Sequence, residues 1–263
     1  MGTAALLTDE TVQTAPKLHL IGCQGHMRLL CVIVATLCLC LLPAQRSDST
    51  ADSILAALDL ERPVSVTAYE IEDLDGDGTI EIVAITAERT VADRHIGGEI
   101  VVLRESRGEL RPLWRRGGLN PWKLQIGDVD GDGPREIVCG VWKRSPFDPV
   151  MANRAFVYSW DGDEARPKWL GSRLSRRFDD FVLCDVNSDG WDELIALEIG
   201  DAEKHRVAVY RWDIFGFEWL GCSDEAAGIR GLSVEDGILC AVTASSQLRI
   251  YLLNDRVEIE PVE

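Results

Sequence analysis

The chain has 263 residues, with 27 Lys and Arg against 44 Asp and Glu, a formal net charge of −17. That balance leaves no basic footprint, which argues against nucleic-acid binding, and a mean hydropathy of −0.01 excludes a polytopic membrane protein. Residues 1–44 are electrically neutral, so the whole excess falls on residues 45–263. Such a charge suits several bound divalent cations, extracellular solubility, or both.

The first element is an almost unbroken apolar run over 29–42, preceded by Met27 and Arg28 and followed by Pro43 and Ala44. A short positive start, an apolar core and a small residue at the end describe a secretory signal. An uncleaved signal anchor is the other reading, because the run falls little short of a spanning helix. Residues 1–44 therefore read as a leader with a hydrophobic helix. They place the rest of the chain outside the cell, in a periplasm or at the cell surface, with the 29–42 segment as its contact with a membrane. Residues 45–63 read as a linker carrying one or two helical turns, stopped by Pro63.

From residue 64 the pattern is β, in short runs separated by turn chemistry. Strands are expected at 64–71, 80–86, 100–104 and around Trp114. The same order returns at 124–126, 136–142, 155–160 and around Trp169. It returns again at 181–184, 193–197, 206–212 and around Trp219. A fourth, degenerate set covers 229–234, 238–243, 248–253 and 257–259. Four short strands per unit at this period point to a repeat architecture of stacked sheets. In this reading strand 257–259 completes the first unit and closes a ring. Trp114, Trp169 and Trp219 pack between units, and Trp122, Trp142 and Trp191 are surface candidates.

Each of the first three units contains an acidic loop. The loops occupy 73–81, 128–136 and 185–193, at spacings of 55 and 57 residues. Oxygen-bearing side chains stand at positions one, three, five and nine: Asp73, Asp75, Asp77 and Glu81; Asp128, Asp130, Asp132 and Glu136; Asp185, Asn187, Asp189 and Glu193. Gly78, Gly133 and Gly190 hold position six, where the reversal needs a positive φ. Thr79, Pro134 and Trp191 hold position seven, from which a backbone carbonyl completes the set. Oxygens at alternate positions suit a hard cation that takes 6–8 of them at flexible geometry, so up to three structural Ca²⁺ ions are expected. An EF-hand would need an acidic residue at position twelve between helices. Ala84, Cys139 and Ala196 stand there, between strands. The Glu235–Gly237 turn lacks the ligands and is expected to hold no metal.

The three loops, each leading into a strand, resemble the calcium-loop repeats of the integrin-α-like β-propeller family, also called FG-GAP or VCBS-type repeats. The resemblance covers residues 64–255. It implies an all-β fold, a β-propeller of about four four-stranded blades over 64–263, with a calcium ion in each intact loop. The family's Phe-Gly…Gly-Ala-Pro element is missing, and four units are fewer than seven blades, so no ligand site is carried over. Dimerisation is the alternative to a closed ring.

Function divides into two classes. The first is an interaction module for a protein or a glycan, with calcium structural. The second is an exported propeller enzyme acting on polysaccharide, a lyase or glycosidase, using paired carboxylates. For the second, Asp179 and Asp180 beside Arg173, Arg176 and Arg177 form the best cluster outside the loops. No nucleophile elbow, phosphate loop or zinc motif is present, and no catalytic residue is assigned. Cys139, Cys184, Cys222 and Cys240 permit disulfides, but three lie in apolar runs and read as buried thiols.

Overall fold

A computed structural model describes residues 49–60, 63–91, 94–145, 148–171, 174–235, 237–253 and 256–261. The leader, the 29–42 helix and Arg173 lie outside them, as does Asp236. Among the described residues no helix is long and apolar enough to cross a membrane.

The described chain is all-β apart from one helix. Helix α1 (Ser49–Leu58) is followed by β1 (Ser65–Glu72), β2 (Glu81–Ala87), β3 (Arg89–Val91), β4 (Arg94–Ile96), β5 (Glu99–Ser106) and β6 (Glu109–Gly117). Next come β7 (Pro121–Gly127), β8 (Glu136–Ser145), β9 (Asp148–Trp160) and β10 (Ala165–Trp169). They are followed by β11 (Phe178–Cys184), β12 (Glu193–Ile199), β13 (Lys204–Asp213), β14 (Gly216–Cys222) and β15 (Ala226–Ala227). The last four are β16 (Ile229–Glu235), β17 (Ile238–Thr243), β18 (Gln247–Leu253) and β19 (Arg256–Pro261). Four antiparallel sheets result, in the orders β1-β2-β5-β6, β7-β8-β9-β10, β11-β12-β13-β14 and β16-β17-β18-β19. Strands β3 and β4 pair apart as a small hairpin, and β15 adds to β13.

The second and third strands of each sheet explain the uninterrupted apolar runs. A strand exposed on one face alternates; a strand buried on both does not. In β2, Val83 and Ile85 pack towards the second sheet, with Leu124, Ile137 and Phe156. Ala84, between them, faces the opposite side, with Ile54 and Leu58 of α1. The second sheet packs on the third through Val138, Val157, Phe181 and Leu194. The third packs on the fourth through Ile195, Val209, Leu232 and Ile250. Each sheet thus buries a face on the next, which no single four-stranded sheet can do alone.

Two expectations about the chain ends need correction. The helical turns expected within 45–63 are a 10-residue helix that packs on the first sheet rather than standing free. Ile54 is fully buried and Leu58 nearly so, both against the outer face of the first sheet. Strand 257–259 keeps its expected place as the last strand of the fourth set and does not also complete the first unit. Ile259 pairs with Ile250, and Val257 with Leu252, so β19 finishes the fourth sheet. The first sheet already has four strands of its own, and α1 occupies its outer face. Among the described residues the sheets are not closed on one another.

The tryptophans divide differently from expectation. Trp114 and Trp169 pack into cores, but Trp219 is 49% exposed. Trp122, expected at the surface, packs edge-on against Phe181. Trp142 is half-buried and Trp191 is exposed. The four cysteines of the sheets are free thiols; Cys139, Cys184 and Cys240 are buried and Cys222 is half-buried.

Candidate metal centres

Each acidic loop joins the first two strands of its sheet. Its apolar second position anchors it: Leu74 and Val129 are fully buried, and Val186 is half-buried. With that anchor in place, the loop folds onto its own carboxylates. The position-one aspartate accepts the N–H of the position-six glycine, at 2.9 Å from Gly78 to Asp73, 3.0 Å from Gly133 to Asp128 and 2.9 Å from Gly190 to Asp185. The three glycines have φ of 87°, 97° and 94°, which a side chain would strain. The position-nine glutamate opens the second strand and is buried in all three loops. Its Oε2 accepts the position-two N–H, from Leu74 at 3.2 Å, Val129 at 3.1 Å and Val186 at 3.1 Å.

The loops are also joined in series across sheets. Arg135 N–H, at position eight of the second loop, donates to the Leu74 carbonyl of the first at 2.6 Å. Asp192 N–H, at position eight of the third, donates to the Asp128 carbonyl of the second at 2.7 Å. The Asp192 carboxylate in turn accepts the Asp128 N–H at 3.1 Å. The Trp191 indole lies against Gly131, where a Cβ would collide with it.

The first two loops bring carboxylates together. One oxygen each from Asp73, Asp75 and Glu81 lies within 4.8 Å of the others, and Asp128, Asp130 and Glu136 do the same. Asp73 Oδ1 and Asp130 Oδ1 are buried without a hydrogen-bond partner. A bare buried acceptor is costly, and a cation relieves it. These residues can therefore hold a metal ion. The third loop differs. Asp185, Asp189 and Glu193 form no such triad among the described residues. The Asn187 amide fills the space instead, donating to Glu193 at 2.8 Å and to Asp189 at 3.0 Å.

The position-five residues stand aside from both triads. Asp77 is exposed; the Thr79 side chain first, and then the Thr79 N–H that donates to it at 2.6 Å, hold its pKa below the usual range. Asp132 is exposed, and Asp189 accepts the Trp191 N–H at 3.1 Å.

One basic side chain approaches the buried glutamate of each loop, and the sequence reading did not find these. Arg104 of β5 pairs with Glu81 Oε1, Nε at 2.8 Å and Nη2 at 2.6 Å. Arg211 of β13 lies 3.5 Å from both Glu193 and Asp189. Lys168 of β10 bridges Asp130 and Glu136, with 2.7 Å to Glu136 Oε1. Repeat alignment carried the signal, since Arg104 pairs with Glu81 in register and Arg211 follows Tyr210, the register partner of Leu194. In the second sheet the residue after Tyr158, the register partner of Ile137, is Ser159, and the charge comes from the fourth strand instead.

Burial raises the Glu193 carboxyl pKa to about 7, with Asp189 adding to the shift and the Val186 N–H and Arg211 opposing it. Burial also raises Glu136 and Asp192. A carboxyl whose folded pKa lies above its unfolded value stabilises most below the unfolded pKa, and this stability is lost as pH rises through the folded value. The metal-free chain should therefore be more stable at pH 5.5 than at pH 8, by up to about 2 kcal/mol from Glu193 alone. Denaturant melts in chelator at the two pH values check this. Glu193→Gln should remove most of the difference; an unchanged pH dependence in that variant would refute the assignment.

The carboxylate cluster outside the loops is committed to structure. Asp180 accepts Lys123 Nζ of β7 at 2.6 Å and the Leu232 N–H of β16 at 2.8 Å, joining three sheets. Asp179 pairs with His205 Nε2 at 3.0 Å. No protein family matches the chain, and a comparison with curated proteins found no match either.

Proposed function

We propose that the chain is an exported or membrane-anchored interaction module of the β-propeller type, which binds a protein or glycan and uses calcium as a structural staple. The observation that carries this reading is the pair of carboxylate triads set in loops that are hydrogen-bonded in series. Asp73, Asp75 and Glu81 would hold one ion, and Asp128, Asp130 and Glu136 another. Bound calcium would neutralise carboxylates that otherwise repel at close range. The third loop, with Asn187 spanning its carboxylates, ranks last among the three for a metal.

Calcium is preferred to magnesium because the loop offers carboxylates and carbonyls at flexible geometry, and magnesium requires a near-ideal octahedron. The apolar run at 29–42 supports export, and an extracellular setting fills even weak calcium loops. The propeller reading draws on the four meander sheets, each burying a face on the next. In this reading the row of blades is open, with α1 covering the first. The likeness to FG-GAP or VCBS repeats rests on the loops alone.

The polysaccharide-cleaving alternative loses its best cluster, since Asp180 is held by Lys123 and Leu232. A panel of polysaccharides and glycans separates the classes. Binding without turnover is expected of the module, and release of reducing or unsaturated ends would overturn it in favour of the enzyme.

A further inference from the structure

The second loop differs from the first in what already sits among its carboxylates. Arg104 bonds the first loop through Glu81, and its charge reaches Asp77 and Asp75 only at longer range. Among the described residues Asp73 and Asp75 carry no ion pair with a basic side chain. Lys168 reaches further into its loop. Its ammonium contacts both Asp130 and Glu136, two of the three residues of the triad, and its side chain is 15% exposed. The 2.7 Å contact to Glu136 Oε1 is only slightly longer than a calcium–oxygen distance, which runs about 2.3–2.6 Å. The ring of Trp212 lies 5.4 Å from the same nitrogen and flanks it on an apolar side.

We propose that Lys168 is a tethered resident cation of the second loop, so that a divalent ion enters there only by displacing it, and the first loop fills at lower metal concentration. This rests on the metal reading of the loops given above. The physical reason is competition for the same oxygens. An ammonium and a divalent ion cannot share Asp130 and Glu136 at contact distance, because their mutual repulsion in a partly buried site is large. Entry of the metal therefore costs the two charge-assisted hydrogen bonds of Lys168. The first loop imposes a smaller cost, since Arg104 holds one oxygen of one ligand. A consequence follows for the metal-free state: the second loop keeps its shape on its own cation, while the first retains only the Arg104–Glu81 pair.

The test is a calorimetric titration of the full chain with calcium chloride, repeated on Lys168→Met, Lys168→Gln and Lys168→Arg. The wild type should show a tight class and a weaker class at least about tenfold apart. Met and Gln should tighten the weaker class by at least about tenfold and leave the tight class in place. Arg, which keeps the charge, should preserve two separated classes. Terbium emission excited through tryptophan gives a second readout, because the Trp191 indole lies on the second loop at Gly131. Its midpoint should fall in the Met variant. Equal affinities in the wild type, or a weaker class unchanged in the folded Met and Gln variants, would overturn the inference and leave the metal reading standing. Absence of calcium binding in all four proteins would overturn both.

Discussion

Stripping divalent cations from the metal-loaded chain should lower its melting temperature by about 10 °C. A ligand that binds only the folded state stabilises it by about 2.7 kcal/mol per site when present at 100 times its dissociation constant. With one readily filled loop and a second that fills against Lys168, the total is about 3–5 kcal/mol. For a domain of about 200 residues, each kcal/mol is worth about 2–4 °C. The effect should reach beyond the loops. Arg135 N–H holds the Leu74 carbonyl and Asp192 N–H holds the Asp128 carbonyl, so a loosened loop frees its neighbour. Thermal melts in millimolar calcium and in excess chelator check this. Asp75→Asn, which weakens the first triad, should forfeit most of the difference. Coincident melts, starting from protein with verified bound calcium, would defeat the staple.

A loss of similar size is expected from Glu198→Ala, by a mechanism that involves no metal. Glu198 is the penultimate residue of β12 and is fully buried. It accepts from Ser175 Oγ at 2.9 Å, Arg176 N–H at 3.0 Å and Arg206 Nε at 2.8 Å, and from the Tyr210 hydroxyl. These partners tie the crossing segment before β11 to β12 and β13. Burial, then the bond to Glu198, pushes the Tyr210 hydroxyl pKa upward, so it stays a donor. Removing the carboxylate strands the Arg206 guanidinium and leaves three donors without their acceptor. Breaking a buried pair in this way costs about 3–5 kcal/mol. Equilibrium urea unfolding should show that loss equally with calcium and with chelator. A change below about 1 kcal/mol would mean that water replaces the carboxylate and that the network is not structural.

Much of the fold was legible because burial on both faces leaves a plain signature. Runs such as 137–141 and 194–197 are apolar throughout, and their turns carry glycine and aspartate. The small hairpin of β3 and β4 was not legible, since Arg89, Thr90, Arg94 and His95 give no apolar alternation. The role of α1 was missed for a different reason. Ile54 and Leu58 are too few to show which surface they cover, and that surface is assembled from residues as far apart in sequence as Val66, Ala84 and Leu103. Ring closure by 257–259 was a topological assumption. No side-chain pattern distinguishes a fourth strand of the last sheet from a strand added to the first.

The acidic loops were legible as units because spacing within a loop is local. Their neutralising partners were not, since Lys168 and Glu136 are brought together only by strand pairing across the sheet. Asn187 was legible as a missing charge, but its amide bonds to Asp189 and Glu193 needed coordinates. Asp180 shows the same limit. In sequence it sits beside arginines, yet its cation is Lys123, from a different sheet.

The most direct measurement is anomalous diffraction from crystals of the chain grown in terbium or calcium. One peak is expected among Asp73, Asp75 and Glu81, and at higher metal a second among Asp128, Asp130 and Glu136 with the Lys168 ammonium withdrawn. Loops without peaks at saturating metal, with Arg104 and Lys168 still seated on Glu81 and Glu136, would contradict it.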